Sequence, residues 1–152
     1  MRIYLGAVAL VLAIAVVGCG SGGDTTEVAL TKAQFIKRGD AICRSHQAER
    51  EKAFAAWQKE PANKGKQIED WTKKELGQIY LTVMLPPVKD AWQELDELAG
   101  STGDPKAENF VKSLEVAVKK VEEKPTRALK EIPYEDANKI AQEYGFKACG
   151  LF

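Results

Sequence analysis

Histidine is almost missing from this chain: His46 is the only one in 152 residues. A catalytic triad or a multi-histidine metal site would have to be assembled around that single ring, and structural or catalytic zinc normally takes three or more protein ligands. Ser45 is its neighbour in sequence, and adjacent residues on a helix point apart, so the two do not act as nucleophile and base for each other. No Cys-x-x-Cys-His attaches a haem, and no Glu-x-x-His pair of the di-iron kind is present. No glycine-rich turn joins a strand to a helix, which removes the nucleotide-cradling motifs. Excess charge is missing too: 22 Lys and Arg face 22 Asp and Glu. Such a balance gives no sequence-independent electrostatic grip on nucleic acid or anionic lipid. Sustained alternation with β-branched residues is absent, so no sheet is expected. The acidic clusters, as in QELDEL and KKVEEK, interleave with lysine and read as solvated helix faces. The expectation is a non-enzymatic protein that uses no metal or cofactor.

Cysteine is scarce but informative, with three in the chain: Cys19, Cys43 and Cys149. Arg2 is the only charged residue before Asp24, and the uncharged run Ile3 to Val17 spans 15 residues. That is short of the roughly 20 apolar residues a spanning helix needs. A charged start, a short apolar run and a small residue before a cut make a secretory signal peptide over residues 1–18. Its end, Val16-Val17-Gly18-Cys19, resembles the lipobox of bacterial lipoproteins. The resemblance implies a diacylglyceryl group on the Cys19 thiol and a mature chain that begins there. Removing the first 18 of 152 residues leaves 134, with 21 basic and 22 acidic side chains. Residues 19–30 then form the lipidated cysteine and a glycine-rich tether, whose flexible part reaches about 18 Å. Export favours a disulfide. With Cys19 acylated, Cys43 and Cys149 have only each other, unless they stay free to react or to hold a metal with His46.

Residues 31–152 read as one all-α domain, an elongated up-and-down bundle. Thr31 and Gln34 have capping-box spacing, with Leu30 and Phe35 as the matching staple, and the first helix is expected to run to Lys59. Glu60 to Gly65 supplies a stop and turn. Lys66 to Ala99 carries a continuous apolar stripe through Leu85-Pro86-Pro87. Proline forbids a straight helix there, and because the stripe keeps its phase, a kinked helix is preferred to two separate ones. Asp104-Pro105 is an N-cap with proline at the first helical position, opening a third helix that ends before Pro125. A short last helix, Tyr134 to Tyr144, is closed by Gly145 with Phe146 beyond it, as in a Schellman stop. A Cys43–Cys149 bridge would pin that helix to the first.

The segments LTKAQFIKRGDAICR, LPPV with a following tryptophan, GDP and the terminal YGFKACG resemble a family of small helical lipoproteins of actinobacterial type. The resemblance covers nearly all of the mature chain. It implies a lipid-anchored, disulfide-closed helical domain outside the cytoplasm, attached to the cell membrane through Cys19, and it implies no activity.

Function is left to two readings, of which the sequence favours the first. One is an envelope lipoprotein that presents a surface to a protein or cell-wall partner. The other is a carrier of a small apolar ligand, haem or lipid, at the proline kink, where Trp71, Tyr80 and Trp92 are the candidate binding residues. His46 is a conceivable axial ligand for haem, but an ordinary half-buried histidine of a bundle fits its pattern better. An apolar cavity at the kink would favour the carrier, and a solid core with an exposed aromatic patch the adaptor. Intact mass of the protein from its native membranes is expected to show an acylated chain that starts at Cys19. Two further cysteines should alkylate only after reduction; an unacylated chain with two free thiols would overturn both assignments.

Overall fold

The computed structural model describes residues 29–152, so the expected signal peptide, Cys19 and most of the expected tether lie outside the described residues. The domain is an all-α bundle. Its first helix, α1 (Lys32–Lys59), starts as its sequence predicts: Thr31 Oγ1 accepts from the Gln34 amide at 3.3 Å, and Gln34 Oε1 accepts from the Thr31 amide at 2.9 Å. Each bond satisfies a donor that the helix start would otherwise leave bare. At 1.5 Å per residue α1 is a rod of about 42 Å. It packs along α3 (Leu85–Gly100), α3 along α4 (Pro105–Glu123), and α4 along α5 (Glu135–Tyr144). The core lies between them, with Phe35, Leu95, Phe110 and Leu114 fully buried.

The second helix departs from expectation at its start. Lys66 is not helical; a single 3-10 turn, Ile68–Asp70, leads to an extended Trp71. Helix α2 (Lys73–Ile79) begins only after Thr72, which forms its own capping box with Glu75. From there the chain stays in right-handed helical conformation through Ile79, Tyr80, Met84 and Leu85, so Pro86-Pro87 does not break it. A π turn at Tyr80–Met84 joins α2 to α3. The Leu85 amide donates to the Tyr80 carbonyl, five residues back, and Pro86 has no amide to donate. An ordinary turn would drive the proline ring into the carbonyl of Thr82, and the wider turn is the usual relief. Thr82 Oγ1 donates to the Gln78 carbonyl one turn back, at 2.9 Å.

The C-terminal segment is tied down at several points. Gly145 adopts φ +117, where a side chain would be strained, and the amides of Gly145 and Phe146 reach back to the carbonyls of Gln142 and Ala141. This is the Schellman stop read from the sequence. Phe146 turns into the core, with ring centroids 5.3 Å from Phe35 and 5.1 Å from Phe110. Gly39 of α1 leaves room for that ring: an added Cβ would stand 2.6 Å from it. The buried carboxylate of Asp40 accepts the amides of Lys147 at 3.0 Å, Ala148 at 2.7 Å and Cys149 at 3.3 Å. One turn further along α1, Cys43 is bonded to Cys149, 106 residues away in sequence, with the Cα atoms 5.2 Å apart. Asn138 and Gln142 on α5 bond the backbone of Phe152 and Gly150.

Substituting Asp40→Ala in the oxidised protein leaves three backbone donors without their acceptor. The expected cost is about 2–4 kcal/mol by urea unfolding, with Asp40→Asn losing less because it keeps an acceptor oxygen. A midpoint unchanged in Asp40→Ala would show that the carboxylate does not hold the C-terminal segment.

Candidate ligand cavity

The end of α1 is where the bundle opens. Phe54 and Trp57, one turn apart on α1, stack with centroids 5.6 Å apart, and Trp57 meets Trp71 at 5.2 Å. The turn after α1 carries the chain round to Trp71. Asn63 is buried, and its Nδ2 donates to the Trp57 carbonyl at 2.9 Å and to Glu60 Oε2 at 3.2 Å. Gly65 takes φ +82, a left-handed conformation that glycine adopts without strain, and the Lys66 amide closes on the Asn63 carbonyl at 3.1 Å. Lys66 Nζ is thereby placed 4.1 Å above the Trp71 ring. On the opposite side, Gly77 of α2 lets the 3-10 turn Pro125–Leu129 come close; a Cβ there would lie 3.0 Å from Thr126 Cγ2.

Between these walls lies a cavity of about 450 Å³, lined chiefly by apolar and aromatic side chains. Trp57 and Trp71 form one wall, Leu76, Ile79 and Tyr80 from α2 and the π turn the other, with Met84 and Leu129 completing it. Its volume is within the few hundred to about 1,000 Å³ typical of small-molecule sites. The geometry suits shape and dispersion recognition of an apolar body, with Gln58, Asn63, Lys66, Gln67 and the Tyr80 hydroxyl as polar groups in the lining.

Of the three aromatic residues singled out in the sequence, Trp71 and Tyr80 line this cavity and Trp92 does not. Trp92 packs instead against the hydrophobic core, its Nε1 buried without a hydrogen-bond partner. Twelve residues at roughly 100° each already place it about a third of a turn away from Tyr80, and the π turn shifts the phase again. Phe54 and Trp57 were not among the candidate binding residues. Their spacing of three on α1 signals only a shared face, and nothing local tells that the face meets Trp71.

His46 is buried elsewhere, between Glu49 Oε2 at 3.0 Å and Glu94 Oε1 at 2.8 Å. It therefore links α1 to α3, and the crevice beside it against Pro87 and Phe152 has no room for a ligand. The disulfide takes both thiols that a metal site with His46 would have needed. Asp104 caps α4 through the Lys106 amide at 2.9 Å and accepts from the Tyr144 hydroxyl at 2.7 Å. Those two bonds hold the Asp104 carboxyl below the usual carboxylate range. No family model, curated protein or solved structure matches the chain.

Behind Tyr80 the hydroxyl of Tyr134 is buried, with the Tyr80 hydroxyl nearby but no well-formed hydrogen bond between them. Burial first, and the nearby Tyr80 second, push it far above the ordinary phenol range; burial likewise raises Tyr80, and burial with the Asp104 carboxylate raises Tyr144. A tyrosine in the unfolded chain ionises near pH 10, whereas these stay protonated in the fold. Above that pH the unfolded chain binds fewer protons than the native one, so stability falls as pH rises. Tyr134→Phe is expected to gain about 1 kcal/mol at pH 7, by removing an unpaired hydroxyl, and to move alkaline unfolding to higher pH. Circular dichroism against temperature and pH measures both; a destabilised variant would mean that the hydroxyl has a partner.

Proposed function

We propose that this chain is a carrier of a small apolar ligand, held outside the cytoplasm by a lipid on Cys19 and binding its cargo in the cavity beside the π turn. The observation that carries this reading is the cavity itself, aromatic-walled and located where proline forces the helix to widen. A solid core at that point would have favoured the adaptor. The cargo is lipid-like rather than haem, because the one histidine stands outside the cavity with both ring nitrogens against carboxylates. The resemblance to small helical lipoproteins, the lipobox-like end of the leader and the tether support the anchored address. No helix among the described residues is long and apolar enough to cross a membrane. The adaptor reading, with an envelope protein or cell-wall partner, keeps one favourable feature: Ile68 is 69% exposed and Leu129 39% exposed at the cavity rim.

An uncharged fluorescent probe such as phenylnaphthylamine tests the carrier. The full chain is expected to bind it at one saturable site, and Trp71→Ala to weaken binding about tenfold, as loss of one aromatic wall predicts. Trp92→Phe, outside the cavity, should leave affinity unchanged. If the folded chain shows no saturable binding, the carrier reading is lost and the exposed rim becomes a protein-facing surface.

A further inference from the structure

The cavity has a single charged side chain in its lining, Lys66. Its ammonium forms no ion pair among the described residues. Glu75 is near enough for its carboxyl to be lowered in part by Lys66, but first by its bonds to Thr72. One oxygen, Glu75 Oε2, takes both the Thr72 amide at 2.8 Å and the Thr72 hydroxyl at 2.7 Å. The turn that presents Lys66 is built: Asn63 fastens it to α1, and Gly65 gives it the left-handed step. Lys66 also covers the face of Trp71 that would otherwise attract a ligand's cation. Positive ligands meet repulsion from Lys66, and most of the remaining lining is apolar or aromatic.

Resting on the carrier reading, we propose that the cargo is an anionic amphiphile: an apolar tail between Trp57, Leu76 and Met84, with a carboxylate or phosphate head on Lys66. The head stays at the rim, where Gln58 and Gln67 add neutral donors and water completes its solvation. The tail loses its water to the aromatic walls. Affinity is expected to rise about fourfold per methylene until the cavity is full, then to level off.

The test uses the full chain and its tryptophan fluorescence, with dodecanoate, dodecyl phosphate, dodecanol and dodecyltrimethylammonium, all below their micellar range. Both anions are expected to bind about five- to tenfold more tightly than the alcohol, the cation most weakly, with the gap narrowing in added salt. A tighter carboxylate points to free fatty acids as the source, a tighter phosphate to phospholipid-derived lipids. Lys66→Met keeps the aliphatic stem over Trp71 and should erase the anion preference while dodecanol affinity holds. Equal binding of anions and alcohol by the unaltered chain, or a preference that survives Lys66→Met, overturns the head-group assignment and leaves the carrier standing. Failure of dodecanol and both anions alike to bind would remove the carrier reading itself.

Discussion

A carboxylate out of water is costly unless donors surround it, and Asp40 is buried on α1 with its oxygens turned to three successive backbone amides, those of residues 147–149. The rest of the domain is arranged so that these donors can arrive. Gly145 reverses the chain after α5, Phe146 fills the core beside Phe35, and Gly39 leaves room for the Phe146 ring. Only then do Cys43 and Cys149 come within bonding distance. Helix α5 has 10 residues, and a helix that short is marginal alone in water. Its place in the bundle comes from what is tied on at its end.

The bundle is consequently uneven along its length. Near the start of α1 it is dense, with interlocking rings, a buried ion, and a covalent bridge. Near the end of α1 it is loose, with short turns, a π turn and an aromatic-walled hollow. The hollow follows from one backbone constraint. Proline at 86 and 87 cannot continue a regular ladder, the helix widens over Tyr80–Met84, and the hollow lies beside that wider turn. Stiffness at one end lets the other forgo close packing without losing the fold.

What the sequence disclosed were features whose chemistry is local. Thr31 with Gln34, Asp104 with Pro105, and Gly145 with Phe146 each mark a helix end by satisfying nearby backbone groups, and all three stand where they were read. The cysteine pairing followed from there being only two left to pair. Thr72 with Glu75 bears the same capping signature as Thr31 with Gln34, but a helical apolar phase running from Ile68 through Trp71 concealed it, and the helix starts seven residues after Lys66. Proline announced a distortion without saying which kind, since the π turn depends on how Leu85 and Tyr80 pair. Asp40 carries no local sign of its role. Its partners lie more than a hundred residues away, in backbone that carries no sequence signature. The cavity is the least local feature of all, requiring the end of α1, an irregular loop and a widened helix to meet.

The bridge between Cys43 and Cys149 makes a closed ring of nearly the whole bundle, 106 positions around. The exposed turn after Lys59, which borders the cavity, belongs to that ring. A protease that cuts there opens the circle without freeing a fragment. Phe54 and Trp57 stay on the piece bearing Cys43, Leu76 and Tyr80 on the piece bearing Cys149, and both walls remain one molecule.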